Sequence, residues 1–594
     1  MCGIAGVVGR DGSPELTGRV EQMRLALRHR GPDDSGTWLA PGKNAAFAHT
    51  RLSVLDRSAA GHQPMSLPDG RYTITYNGEI YNFPALRQRL ADAGVEFHSQ
   101  SDTEVILRMY EAHGPACLEQ LRGMFALAIW DNKEQTCFLA RDRFGVKQLY
   151  YQYDNGSVAF ASELRALAVA VPRQLNRQAV FQFFLSGSVP EPLTLVDGLQ
   201  ALEAGHYLLW RDGQVDIRQY WQVEFSRAEV APDPAALTRA ALIDSVKHHF
   251  VSDVPVGVLL SGGVDSTAIL ALARISQPGE LHTFTLTFPG TPMDEGPTAR
   301  RTAALFGTIH HECAVDGRTA RQILRDFLEA VDQPSIDGFN IFAACRLAKA
   351  HGAKVILSGL GGDELFGGYP SFREVPRLLK WGLLARRGGP LSAGVLSLAG
   401  RVGGPKWRRL ADLIDLPPDL ESAYGVFRGI FSRSEARVLA QHYSGESGPM
   451  DVRAQAREGA STPLDHISQL ELTRYTRNQL LRDADVMSMA SGVELRVPFL
   501  DCEVFDTLAH VPAEQRLAEG KALLLSAVPE IPSWVAGQTK RGFLFPFQHW
   551  LDEEWAGDMG APVDQKVVAM DTWFQQWSVM AFESWLHRLG PENG

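Results

Sequence analysis

Cys2 is the first residue of the chain with chemistry to offer. Once the initiator Met1 is removed, it carries a thiol and a free α-amine, and an amine titrating near ~8 can accept the thiol proton at neutral pH. Nucleophile and base are then one residue, the logic by which an N-terminal amine replaces the histidine of a triad. A second chemistry lies at 256–270, VGVLLSGGVDSTAIL, where an apolar run ends in Ser261-Gly262-Gly263-Val264-Asp265-Ser266 and turns helical. Glycines let the backbone approach an anion closely, and a helix N-terminus offers unpaired N–H groups with a favourable dipole. The loop lacks the Gly-Lys-[Ser/Thr] ending of a Walker loop, which disfavours a kinase or GTPase. A further segment, VILSGLGGDELFGGY at 355–369, again sets a glycine-rich loop after an apolar strand.

Elements must position these residues. Up to about residue 220 short apolar or alternating runs predict strands at 3–9, 46–55, 72–81, 124–130, 136–140 and 148–153, with helical periodicity at 15–28, 84–93 and 103–121. Strands and helices in blocks argue for antiparallel sheets with helices packed outside. A polar, proline-containing stretch at 226–234 reads as a linker. Beyond it the rhythm is strand, helix, strand: 254–260, a helix from Ser266, 281–288, a helix near 294–306, 308–315 and 354–357. That alternation predicts a doubly wound parallel sheet with its ligand at the carboxyl ends of the strands. Residues 416–580 read as mainly helical.

Composition bounds the rest. The 594 residues exceed one domain, and 58 Lys+Arg against 69 Asp+Glu give a net charge of −11, with no global footprint for nucleic acid or an anionic membrane. No apolar stretch approaches the ~18 residues of a membrane span, and no signal peptide is evident, so a cytoplasmic protein is expected. The six cysteines show no Cys-x-x-Cys pair and indicate neither a disulfide framework nor a metal cage. Residues 373–409 hold nine Lys/Arg and one Glu, which reads as a solvated helical hairpin in preference to a docking surface for an acidic partner.

Ordered motifs then point to a family. The opening MCGIAGVVG, followed by RHRGPDDSG at 28–36, AHTRLSVLD at 48–56, YNGEIYN at 76–82, SDTE at 101–104 and RDRFGVKQLYY at 141–151, resembles the glutaminase domain of class II glutamine amidotransferases. The resemblance implies an Ntn-type αββα sandwich over 1–220, in which Cys2 attacks the glutamine side-chain amide and Asn77 and Gly78 supply the oxyanion hole. It assigns Arg51 to the glutamine α-carboxylate and Glu79 and Asp102 to its ammonium.

SGGVDS resembles the pyrophosphate loop of ATP pyrophosphatases, which form AMP and pyrophosphate while adenylating a substrate. The resemblance places ATP on Ser261, Gly262, Gly263, Val264, Asp265, Ser266, Ser358 and Gly359, with Leu259 and Leu286 lining the adenine pocket and Asp265 and Asp363 serving Mg2+. MSMASGVELRVPFLD at 487–501 and TKRGFLFPFQHWL at 539–551 are similar to segments of glutamine-hydrolysing asparagine synthetases. Lys540 then matches a lysine that stabilises charge at the acyl-adenylate, and Glu494 and Arg496 match residues near an interdomain passage, although a structural ion pair explains them equally well. The implied architecture is a glutaminase domain at 1–220 and an α/β synthetase domain with additional helices at 221–594. Its partners are glutamine, ATP and a carboxylate acceptor, with no nucleic acid and no membrane; a homodimer is compatible with this reading, which leaves the oligomeric state open.

One departure bears on the acceptor. The family generally carries Glu after the Ser-Gly of the second loop, where it supports aspartate activation, and this chain has Leu360. An apolar side chain neither binds an ammonium nor acts as a base. Aspartate, a sugar acid, a peptide or a secondary-metabolite carboxylate remain as acceptors. A ring-closing amide synthetase and a nucleotide-sensing scaffold are the readings from other classes, and the retained Cys2, Arg51, Asn77, Gly78 and Asp102 speak against both.

Overall fold

The computed structural model describes residues 2–10, 15–169, 174–225, 232–387, 404–445, 460–538, 545–551, 555 and 567–589. Alternation along the N-terminal strands sorts their side chains onto two faces. On Gly3–Val8, Ile4 and Val8 face Phe47, Trp130, Leu139 and Trp210 between two sheets, whereas Ala5 and Val7 face Met23, Leu27 and Phe183 on covering helices. The first sheet runs in the order Gln200–Ala201, Tyr150–Asp154, Ser157–Ala161, Gly3–Val8, Ala45–Arg51, Asp34–Leu39. The second runs Gln214–Gln219, His206–Arg211, Thr136–Arg141, Gly123–Asp131, Tyr72–Ile80, Met65–Ser66. Helices Phe83–Asp92 and Asp102–His113 cover the second sheet through Leu86, Leu90 and Leu107. Helix, sheet, sheet, helix is the Ntn-type αββα sandwich that the resemblance implied.

The second half is built on a five-stranded parallel sheet, ordered Ile309–Ala314, His282–Thr287, Val256–Leu259, Val355–Leu357, Glu494–Arg496. Chain order reverses between Val256–Leu259 and Val355–Leu357, so the loops after these two strands open side by side at the switch point where doubly wound sheets bind ligands.

Several expectations shift in detail. The strand expected at 46–55 ends at Arg51, and Leu52–Leu55 form a loop, because this segment turns toward the second half, where Leu52 and Val54 are buried. The helix expected at 103–121 ends at His113, where Gly114 takes φ 56°, and continues as tight 3-10 turns to Glu119. Strands at Asp34–Leu39, Ser157–Ala161, His206–Arg211 and Gln214–Gln219 carry weaker patterns and are recruited by pairing. Within the helical 416–580 region lie the sheet strand Glu494–Arg496 and an eleven-residue π-helical stretch, Glu471–Leu481. Of the linker reading, 226–231 lie outside the described residues, and Pro234 already opens the helix Pro234–His249.

The halves share buried surface. Tyr81, Met124, Phe144 and Val146 belong to the same apolar cluster as Val497 and Phe499. The C-terminal helix Trp573–Leu589 returns to the N-terminal half, with Phe582 stacked on Phe183 at 5.8 Å. In the basic 373–409 segment, Arg408 pairs with Glu435 and Asp571 and Arg377 with Glu374, so part of that charge is neutralised internally; 388–403 lie outside the described residues. Among the described residues no helix is long and apolar enough to cross a membrane.

Candidate active site

Cys2 leads into the interior strand Gly3–Val8, with its N–H donating to Asn77 Oδ1 at 2.9 Å. This bond orients the Asn77 amide and leaves Nδ2 buried without a hydrogen-bond partner. A buried donor left unpaired is costly, and it is repaid only when an acceptor arrives. Gly78 follows on the same strand, where a Cβ would strike the carbonyl of Met124 and stand 2.7 Å from Phe125 Cα on the paired strand. An amide and a glycine N–H beside a thiol can stabilise the oxyanion of an acyl-transfer intermediate. Burial pushes the Cys2 thiol above its ordinary range, and the Leu52 backbone N–H and Arg51 work against that rise. Arg51 is held by the backbone carbonyls of Leu55, Asp56 and Ser58, which fixes its fork near the thiol.

Behind Cys2, acids crowd together. Asp102 accepts from Tyr76 OH at 2.8 Å and Ile80 N–H at 3.0 Å, and burial raises its carboxyl above the usual range. Glu79 is pushed higher by burial and by Glu494, with Arg496 opposing at 3.6 Å. Burial also works against charged Glu494, but its 2.5 Å ion pair with Arg496 outweighs this and holds the carboxyl down to about 2. Net negative charge in a buried pocket favours a cation, as the ammonium of an amino acid would supply. For Glu494 and Arg496 the structure shows the ion pair.

At the switch point, Ser261 Oγ bonds Ser266 Oγ at 2.9 Å and accepts from Gly263 N–H at 3.1 Å, which shapes the loop. Gly262 N–H donates to Glu295 Oε2 at 3.0 Å, so a carboxylate oxygen occupies a place that a phosphate oxygen could take. Val264 opens the helix Val264–Ser276 that carries Asp265. The second loop packs on the first: a Cβ on Gly359 would meet Ser266 N and Asp265 C at 3.0 Å, and one on Gly362 would meet Asp265 Oδ1 at 2.5 Å. Ser358 N–H donates to the carbonyl of Arg496 at 2.9 Å, which ties this loop to the edge strand. Leu259 ends the central strand, and Leu286 is buried on its neighbour.

Asp265 and Asp363 converge on one cation, the ammonium of Lys521, which lies 2.5 and 2.6 Å from the Asp265 oxygens and pairs with Asp363 as well. Two hard oxygen donors around a single positive charge beside the glycine loop at 261–266 fit Mg2+, which shares carboxylates with phosphates and keeps water. Among the described residues no group of three or more His, Cys, Asp or Glu side chains forms a metal cage. Motif reading passed over Lys521, although Gly520 before it, at φ 70°, is the sequence signal of the turn that delivers it; Lys521 itself takes φ 58°. Lys540 lies outside the described residues.

The sites are joined by buried charge. Arg30 donates to the carbonyl of Cys2 at 3.0 Å, to Glu163 at 2.8 Å and to Asp485 at 2.8 Å, and Lys147 approaches Asp485 at 3.4 Å. Arg122 grips Asp501 through Nε and Nη2 at 2.8–3.0 Å.

Comparison with known proteins follows this division. A glutamine amidotransferase domain model matches residues 1–221, and an asparagine synthase model matches 237–586. Asparagine synthetase [glutamine-hydrolyzing] 1 of Bacillus subtilis is 34% identical over 568 residues, covering 93% of this chain and 88% of the relative. A putative asparagine synthetase of Mycobacterium tuberculosis is 34% identical over 599 residues, covering 94% and 90%. Amidase chry2 of Gibberella zeae is 31% identical over 650 residues, covering 96% and 92%.

Proposed function

The chain belongs to the glutamine-hydrolysing asparagine synthetase family, and from that premise we propose that it couples glutamine hydrolysis at Cys2 to ATP-dependent amidation of a carboxylate, with domains dividing near residue 220. In the first half-reaction the Cys2 thiol passes its proton to the α-amine and attacks the glutamine amide carbon. Asn77 Nδ2 and the Gly78 N–H hold the oxyanion, and collapse of the intermediate releases ammonia and leaves a thioester that water hydrolyses to glutamate. Arg51 holds the glutamine α-carboxylate, while Glu79 and Asp102 hold its ammonium.

In the second half-reaction the acceptor carboxylate attacks the α-phosphorus of ATP and pyrophosphate leaves. Ammonia then displaces AMP from the acyl-adenylate. Activation is needed because a carboxylate is a poor electrophile. The loops at 261–266 and 358–359 bind the phosphates, Leu259 and Leu286 contact the base, and Lys521 offsets charge on the departing pyrophosphate. Mg2+ held by Asp265 and Asp363 would add charge neutralisation on the phosphate oxygens. Where the two halves meet, a void of about 20 Å3, large enough for one small molecule, is lined by Tyr81, Met124, Val146, His249 and Val497 together with Asp142, Arg143 and Asp501.

The observation that carries this reading is the unpartnered Asn77 Nδ2 beside Cys2, in one chain with two carboxylates converging on a cation over a pyrophosphate-type loop. The test supplies amide-labelled glutamine, Mg-ATP and a panel of carboxylates that includes aspartate. Stoichiometric AMP, pyrophosphate and labelled amide are expected. Cys2→Ala should lose transfer from glutamine and retain it from ammonium, whereas Asp265→Ala should lose both. Formation of ADP and phosphate in place of AMP would refute the adenylate, and equal loss of both nitrogen sources in folded Cys2→Ala would refute the two-site scheme.

A further inference from the structure

A cleft of about 2100 Å3 reaches Asp363. Leu360 and Asp363 line it, and Ser261, Gly262, Gly263 and Leu286 do not, so it approaches the reacting phosphate without being the nucleotide's own place. Cavities for drug-sized ligands run to roughly 300–1,000 Å3. A small amino acid would leave most of this space filled with water.

Two of its walls differ in kind. One is aromatic: Phe547 meets Phe339 at 5.6 Å, Trp573 at 5.1 Å and Trp577 at 4.5 Å, forming a continuous ring surface. Such surfaces offer large contact area to apolar or flat ligands. The other wall is the π-helical stretch Glu471–Leu481, from which Thr473, Tyr475, Asn478 and Gln479 line the cleft. π-helical turns are rare and usually single, and they collect at functional sites because the widened turn re-aims side chains. Eleven residues in this form beside one cleft show backbone regularity given up along the length of that cleft.

The helix Pro405–Asp415 and the turn after it add Lys406, Arg409, Asp412, Asp415 and Asp419 to the lining, and two of the charged pairs on the walls are matched internally. Arg428 pairs with Glu471 at 2.5 Å and stacks on Tyr475 at 3.7 Å, and Arg474 pairs with Glu421 at 2.7 Å. A free dicarboxylic amino acid needs cationic and anionic partners within a few ångströms of each other, and next to the adenylating loop this cleft presents Leu360, packed against the main core.

We propose that the acceptor is a bulky carboxylate with an aromatic or extended apolar body, held along this cleft with its carboxyl group beside Asp363, and that free aspartate is not accepted. The proposal rests on the adenylating reading above and names the acceptor class for that site. The probe is 1-pyrenebutyrate, followed by its fluorescence on the full chain with Mg2+ and a non-hydrolysable ATP analogue. Saturable single-site binding is expected, indifferent to excess aspartate. Leu360→Glu should weaken it at least about tenfold by setting a carboxylate against the probe's own, and Leu360→Met should preserve it, which separates charge from misfolding. Absence of saturable binding, displacement by aspartate, or equal affinity in Leu360→Glu would overturn the proposal. Aspartate-dependent AMP formation by the wild-type chain would also overturn it while upholding the adenylating reading; ADP as the product with the probe would strike that reading instead and leave the binding result standing.

Discussion

At the scale of residues, the glutaminase site rests on a donor in waiting. Asn77 is oriented by one bond to Cys2 and keeps Nδ2 unpartnered, and on the proposed mechanism its main contribution is to the oxyanion. Asn77→Ala should lower kcat for glutamine hydrolysis by about 10²–10³-fold with a much smaller change in KM, measured as glutamate release. The acids behind it predict a pH dependence. Asp102 and Glu79 are raised above the ordinary carboxylate range, so acidification protonates them early and, on the proposed mechanism, removes the charge offered to the substrate ammonium. The kcat/KM for glutamine should therefore fall on the acid side at higher pH than an unperturbed carboxylate would give, and Asp102→Asn should leave only the part of that limb set by Glu79, at the cost of a higher KM. Cys2, Asn77 and Asp265 could be proposed from sequence because their motifs are local. Lys521 could not, because nothing in the adjacent sequence says that its ammonium ends between Asp265 and Asp363, more than 150 positions away.

At the scale of elements, glycines decide how closely two loops approach. Gly359 sits against the first turn of the helix that carries Asp265, and an added Cβ would press on Ser266 N and Asp265 C at 3.0 Å. Backbone atoms within a helix cannot yield as a side-chain tip does. Gly359→Ala should raise the KM for ATP and slow pyrophosphate release by roughly tenfold or more, an effect of about 1.4 kcal/mol or above, while glutamate release proceeds as in the parent chain. The parallel strands and their loops could be read ahead because apolar runs followed by glycine keep their meaning at short range. Glu494–Arg496 could not: three residues between helices have too short a pattern, and only pairing with Val355–Leu357 makes them a strand.

At the scale of the whole molecule, buried ion pairs join the halves. Arg122 on the N-terminal side grips Asp501 on the other, and burial raises the cost of leaving either charge alone. Arg122→Met should destabilise the chain by about 3–5 kcal/mol, because it strands a buried carboxylate, and calorimetry should show a lower Tm. If the pair serves only as a surface contact, the Tm will not move. Asp501 is held below its usual range, where burial is outweighed by the bond from Arg122. Its stabilising contribution is thus complete above the unfolded carboxylate pKa and disappears as pH falls through the depressed folded value, so the Tm difference between the parent chain and Arg122→Met should narrow in acid.

The sequence by itself determined the local features behind the proposed chemistry at each end: a cysteine at position 2, a glycine loop between strand and helix at 261–266, a second glycine loop at 358–362 and the strands that carry them. Those features depend on neighbours a few residues away, where backbone geometry and side-chain type act directly. Tertiary structure alone decided which distant groups meet: Arg30 with Cys2 and Asp485, Glu79 with Arg496, Lys521 with two aspartates, and an aromatic wall with a π-helical one around a long cleft. Such meetings follow from how whole layers pack. A buried charge is tolerated only beside its counter-charge, and only the folded chain specifies where that counter-charge stands.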